Sequence, residues 1–455
     1  MSDEFDLISS LHERGHLAQV VTKILTLIDD ERFVRTVLRL VSKSWRRIVE
    51  EDNFFWHRLA CCFRNNDQVY EGLHRRLSPH ASAYSKDDDE DRLRPFHLHL
   101  ETLRHKKLLS TNWREWNWRR SSVDNDESLD LLVHDETHDL VFAGDLAGKL
   151  VCYDVADGIL TPIAEWNGRA TRRLVGGWLM KSTICWRGFL ICPTYRKELV
   201  FVAIKVNSNR QSDRLTRSVS LAAVTRVTSW TGPEFARPLF AVGEATMEKG
   251  SCGLFAVARL EQSGEGKVFK MESFRISILD GDLQTEALGS SVAIEDVWNL
   301  QTLRVNKDGS VCLICQWLGA PCLIVFSSFG ERLKTIFLSS PHLTNYVVVE
   351  RRIILADKDG FLLNEWPLRA SIAAGAMDRE PVRGVVTEAF PHPFEPALVY
   401  HDQFRFNLWN LANGEKSESE MDFLENCHVV CVHQFGILAK IDDGSSSVIM
   451  HLSFV

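Results

Sequence analysis

No apolar run in the 455 residues is long enough to cross a bilayer, and the opening MSDEFDLISS has neither the basic start nor the apolar stretch of an export signal. Membrane insertion is therefore not expected, and the expected location is intracellular, cytoplasmic or nuclear. Positive charge is in short supply as well: 53 Lys and Arg stand against 61 Asp and Glu, a formal net charge of −8. Nucleic-acid binding draws on accumulated cations to meet phosphates, so it is not expected. Catalytic signatures are missing too. The sequence contains no HExxH, no GxSxG and no P-loop. No residue pair in it demands catalytic chemistry, and the chain reads as a non-enzyme without cofactor or metal.

Two patterns test that reading. Cys312 and Cys315 in SVCLICQW have the spacing of half a zinc knuckle, but no second pair lies nearby and the run alternates like a strand. Cys152, Cys185, Cys192 and Cys322 also sit in apolar runs, where a reduced thiol behaves as a small hydrophobe. His134 and His138 have the four-residue spacing that aligns metal ligands on a helix, but the context LLVHDETHDL is strand-rich.

What the chain has in quantity is core material. Forty-five per cent of residues are apolar, with 13 Trp and 25 Phe, so the chain should fold rather than stay disordered. From Leu17 to about Phe63 the apolar residues recur at helical steps. Val20, Val21, Ile24, Leu25 and Ile28 share one face; Val34, Val37, Leu38, Val41, Trp45 and Ile48 form a second stripe; Trp56, Leu59 and Phe63 a third. Three such short helices cannot bury both faces, so part of their apolar surface should meet a partner or the neighbouring domain.

This stretch resembles an F-box. Ile24 and Leu25 match its first helix; Arg39, Leu40, Val41, Ser42, Trp45 and Ile48 its middle; Trp56 and Leu59 its end. The family usually opens on Leu-Pro, where this chain has Leu17-Ala18, so the proline that fixes the helix entry is absent. The resemblance implies docking to a Skp1-like adaptor, and through it to a cullin ubiquitin ligase. The implied contact residues are Leu17, Ile24, Leu25, Leu40, Val41, Trp45, Trp56 and Leu59. The plainer reading is a helical cap on the neighbouring domain.

Residues 66–128 read as a linker and packing segment. The acidic run Asp87–Asp91 reads as an exposed loop, and Trp113, Trp116 and Trp118 as packing where the linker meets the C-terminal domain. From Leu129 onward, short β-branched and apolar runs are separated by turns at Asp145 to Gly148, Asp157-Gly158, Asp308-Gly309, Asp359-Gly360, Asn413-Gly414 and Asp443-Gly444. Repetition at about 45 residues predicts a β-propeller of about seven blades, with six or eight also allowed; a pair of β-sandwiches is the alternative. The half resembles the WD40-like propellers found downstream of F-boxes.

The expected architecture is a small all-α F-box-like module (10–65), the linker (66–128) and an all-β propeller (129–455). The expected function is substrate recognition for a Skp1-cullin-F-box ligase, with an unidentified protein target held by the propeller. The alternative is a non-catalytic propeller scaffold outside ubiquitin transfer, and a more distant one a propeller enzyme.

Overall fold

The computed structural model describes Lys23, Leu25 and residues 31–38, 40, 43–66, 68–82 and 95–454. Excepted from the last stretch are 156, 177, 196–197, 212–213, 229–237, 248–249, 264–265, 280–281, 291–293, 338–344, 350–351, 358–359, 367–371, 374–377, 383–385, 387, 394, 403–404, 420–426 and 443–445. Leu17, Ile24, Val41, the acidic run 87–91, Asp359 and the Asp443-Gly444 turn lie outside the described residues. The chain divides into two compact units, one ending at Asn117 and the other spanning Trp118–Phe454.

In the first unit a π-helical turn, Phe33–Leu38, precedes α1 (Lys43–Glu51), α2 (Asn53–Asn66), α3 (Gln68–Ser82) and α4 (Pro95–Glu115). Asp52 separates α1 from α2 and serves both. Its amide donates to the Ile48 carbonyl at 3.1 Å, and its Oδ1 accepts from the Phe55 amide at 2.8 Å, capping α2. Leu25, Val34, Ile48, Val49, Phe55, Trp56 and Phe96 form the core, with Trp45, Leu59 and Leu100 packed against it.

Two expectations change here. The apolar stripe from Val34 to Ile48 is not one continuous α-helix, because the wider π turn rotates the register: Val34 faces inward and Val37 outward. And within 66–128, expected as a linker and packing segment, Gln68–Ser82 and Pro95–Glu115 are helical. The long helix α4 supplies Phe96 and Leu100 to the same core, so much of the surface expected to await a partner is covered by the chain itself. A three-helix piece lacks the area to close a core, and α4 supplies it.

The second unit is a seven-bladed propeller. Its described strands form seven sheets, each built on four antiparallel strands. Blade 1 is Leu129–Asp135, Leu140–Asp145, Leu150–Asp154 and Thr161–Trp166; blade 2 Ile184–Trp186, Phe189–Pro193, Glu198–Gln211 and Arg214–Thr228; blade 3 Leu239–Met247, Gly250–Ser263, Gly266–Leu279 and Asp282–Ser290. Blade 4 is Val297–Val305, Val311–Trp317, Ala320–Phe326 and Arg332–Phe337; blade 5 Asn345–Val349, Arg352–Asp357, Gly360–Glu365 and Asp378–Pro381; blade 6 Glu388–Pro391, Ala397–His401, Phe406–Asn410 and Lys416–Glu418. Blade 7 takes Cys427–His433, Gly436–Asp442 and Ser447–Ser453 from the end of the chain and its outer strand, Arg119–Asn125, from before blade 1. That strand pairs from Arg119↔Ser453 to Asn125↔Ser447 and closes the ring. Sequence pattern alone places it in the linker, because RRSSVDN is polar; an outer edge strand has little to bury.

The alternation within each middle strand explains why blades stack. In Phe189–Pro193, Leu190 and Cys192 face Phe142 and Cys152 of blade 1, while Phe189 and Ile191 face Phe255 and Val257 of blade 3. With both faces covered, every residue of that strand is buried, as it is in Ala397–His401. At Asp308-Gly309 the hairpin turn is longer than two residues: Asn306 and Ser310 are paired across the loop, and Gly309, at φ 80°, takes its left-handed position. A short helix, α5 (Gly168–Leu174), capped by Asn167 Oδ1 on the Ala170 amide at 2.9 Å, joins blades 1 and 2.

Candidate functional site

The first strand of each blade lines the ring axis, and the turn at its end opens at one end of the ring. Two cavities lie there. The first, about 490 Å³, is shared by blades 7, 1, 2 and 3 and is lined by His134, Asp135, Glu136, Arg187, Glu244 and Cys431 among others. The second, about 690 Å³, is shared by blades 4 to 7 and is lined by Arg304, Lys307, Asp308, Tyr346, Trp366 and His392 among others. Both fall in the size range of peptide-segment or small-ligand sites.

The first cavity is acidic, and most of its charge is in structural use. Asp135 accepts from the Thr137 and Gly188 amides at 3.2 Å each and meets His138 Nδ1 at 2.6 Å, tying blade 1 to blade 2. Burial pushes its carboxyl up, but His138 and the Thr137 amide more than offset this and hold it below the usual range. Glu244 takes Arg187 Nε at 2.6 Å and Trp186 Nε1 at 2.9 Å. Burial, with Asp139 and Asp135 nearby, pushes the Glu136 carboxyl up.

The second cavity carries both signs, Arg304 and Lys307 with Asp308 and Glu395. Arg304 Nη1 donates to the Tyr346 carbonyl at 2.9 Å, and its guanidinium lies 5.7 Å from the centre of the Tyr346 ring. Asp308 is occupied: Oδ1 accepts from the Ser310 amide at 3.0 Å and its hydroxyl at 2.6 Å, and Oδ2 from Trp366 Nε1 at 2.8 Å. Burial pulls the His392 imidazole down to about 3, so it stays neutral. These residues come from separate blades and form no sequence motif. The one hint in the sequence is Arg304 itself, a cation inside the apolar strand that leads into an Asp-Gly turn.

The residues weighed for metal binding do not converge. His138 is engaged by Asp135, while the His134 ring lies 4.0 Å from that of His433. Cys312 packs between blades 4 and 5, and Cys315 between blades 3 and 4, on opposite faces of one strand. Burial pushes the Cys312 thiol up to about 12, far from a ligating thiolate. Among the described residues no group of three or more His, Cys, Asp and Glu is placed to hold a metal ion.

The F-box-like residues divide by exposure. Leu25 and Trp56 are fully enclosed in the helical core, Trp45 and Leu59 are half-buried against it, and Leu40 is 85% exposed. Trp56 is held by Phe55 and Phe96, with ring centroids at 4.9 and 4.8 Å, and its Nε1 donates to the Val49 carbonyl at 2.5 Å. Phe33, Val37 and Phe54 join Leu40 as large apolar side chains left outside that core.

No family model and no curated protein matches the sequence. Among solved structures, the chain is similar to the Neurospora crassa Pan2 WD40 domain (9% identity, TM-score 0.45, covering 73% of this chain and 95% of that one). It is also similar to Chaetomium thermophilum Sqt1 (11%, 0.43, 72% and 96%) and to the AfRom2 CNH domain (10%, 0.40, 73% and 96%). Likeness at this level carries no functional argument. The class of protein is defined by the chain's own strand order: a seven-bladed β-propeller preceded by a helical unit.

Proposed function

We propose that this chain is a non-catalytic interaction protein, with a ring that captures a protein target and a helical unit that docks a second protein. The observation that carries this reading is the division in the helical unit between a closed core and the large apolar side chains Phe33, Val37, Leu40 and Phe54 outside it. Exposed apolar area of that kind is costly in water and is retained where a partner covers it. In the ring, Asp135, Glu244 and Asp308 are held by amides, cations or an indole, which suits a fixed recognition surface better than proton transfer.

Affinity purification of the full chain tests this. The reading expects bound proteins, one set lost with Leu40→Asp and another with Trp366→Ala. A chain that purifies alone, at a concentration where micromolar complexes persist, overturns it.

A narrower second reading is the Skp1-dependent ligase adaptor. Leu40 favours it: this residue lies in the RLVSKSW stretch that resembles an F-box, and it is among the most exposed apolar side chains. Size-exclusion chromatography of the full chain with purified Skp1 should show co-elution that Leu40→Asp abolishes without lowering the melting temperature. Leu25→Asp is a poor test, since it buries a charge in the core and unfolds the unit whatever the partner. Wild-type protein that never co-elutes with Skp1 removes the ligase reading and leaves the scaffold standing.

A further inference from the structure

We propose that the cavity of blades 4 to 7 binds an anionic side chain of an extended peptide, with Arg304 as the group that recognises it. This rests on the reading of the ring as a protein-capturing surface and names the chemistry captured.

Among the described residues Arg304 has no ion-pair partner. Arg304 carries five N–H donors, and among the described residues its side chain makes one hydrogen bond, from Nη1 to the Tyr346 carbonyl. Among the described residues no carboxylate comes within the 4.0 Å of an ion pair with it. Burial pulls its pKa down, with only Tyr346 to oppose this. Other buried or half-buried arginines of the propeller are treated differently: Arg259 meets Glu272 at 2.9 Å and Glu261 at 2.8 Å, Arg217 meets Asp154 at 2.7 Å, and Arg275 meets Glu286 at 2.8 Å. A half-buried guanidinium without an ion-pair partner is costly, and an anion arriving in the cavity offsets that cost.

The surroundings fit such an anion. Lys307, exposed on the adjoining turn, lines the same cavity and adds a second cation. Two acids also line it. Asp308 has both oxygens engaged by Ser310 and Trp366, and neither it nor Glu395 forms an ion pair with Arg304. Trp366, Pro393 and Pro396 give an apolar wall beside the charge. A planar fork next to such a wall suits one carboxylate or phosphoryl group flanked by a hydrophobic residue, as in a peptide segment. Two cations in a chain of net charge −8 are too few for a nucleic-acid backbone.

The test uses the purified full chain on an array of random octapeptides in three versions: as synthesised, with Asp and Glu changed to Asn and Gln, and with phosphoserine in their place. Retained peptides should carry an acidic residue beside an apolar one. Neutralising that residue, or introducing Arg304→Gln, should weaken binding about tenfold or more, and Lys307→Gln should weaken it less. Arg304→Gln should melt at the wild-type temperature or above it, because an uncompensated charge has gone; a purely structural arginine would lower it. Tighter binding of phosphoserine than glutamate supports the site and assigns its anion as phosphoryl. Retained peptides that are not acidic, or that bind Arg304→Gln equally well, overturn the proposal while the ring remains a capture surface. No retained peptide overturns the proposal, and a full chain that also purifies alone overturns the reading of the ring as well.

Discussion

Glu388 shows how one side chain joins blade packing to pH. Burial pushes its carboxyl up to about 7, although the Val429 amide of blade 7 donates to Oε2 at 2.5 Å and pulls the other way. The ordinary value is 4.5, so the unfolded chain gives up this proton first. The contribution of the protonated group is therefore complete below about 4.5 and is lost as pH rises through about 7. Glu388→Gln keeps an acceptor for Val429 and cannot ionise. Thermal melts should show the variant matching wild type near about pH 4 and exceeding it by about 1–3 kcal/mol near about pH 8; equal stability at the higher pH would refute the assignment. Trp56 makes a second residue-level case. Trp56→Phe leaves the Val49 carbonyl without its donor at a cost of about 1–3 kcal/mol, and Trp56→Ala adds a cavity for about 3–5 kcal/mol in all. Urea unfolding followed by far-ultraviolet dichroism measures both, and a loss below about 0.5 kcal/mol would show that Trp56 is not a core residue.

At the scale of elements, capping and alternation decide most outcomes. Asp52→Ala removes the Oδ1 acceptor of the Phe55 amide and should cost about 1 kcal/mol, with α2 fraying in hydrogen exchange before its neighbours. Unchanged exchange at Phe55 and Trp56 would contradict that role. The strand Val311–Trp317 shows why spacing misleads: two residues between cysteines bring thiols together on some turns, but along a strand they put Cys312 and Cys315 on opposite faces. Period-two alternation is readable in the sequence, and so is the helical character of Trp45 to Phe63. The π turn at Phe33–Leu38 is not, since FVRTVL differs little from an α-helical pattern.

For the whole molecule, closure is the property that matters. Arg119–Asn125 contributes little apolar area, yet it covers the open edge of Ser447–Ser453 and lets Leu438 and Ile449 pack against Val141 and Tyr153 of blade 1. A chain beginning at Trp118 should fold as a cooperative monomer, whereas one beginning at Asp126 should expose that edge and aggregate. Analytical ultracentrifugation distinguishes the two; a stable monomer from Asp126 would show that the ring does not depend on its closing strand.

The sequence by itself determined the elements whose causes are local. Turns at Asp308-Gly309 and Asn413-Gly414, alternating strands such as Phe189–Pro193, the helices around Trp45 and Trp56, and a blade repeat near seven come from glycine's freedom, side-chain periodicity and hydrophobic spacing. Tertiary structure alone decided what depends on distant partners. It gave a polar strand at Arg119 to the last blade, brought α4 into the helical core, turned Trp56 inward while leaving Leu40 outside, and set Arg304 in a cavity shared by four blades with no ion-pair partner among the described residues. Each of these is settled by which surfaces lose their water on folding, and that depends on neighbours tens to hundreds of residues away.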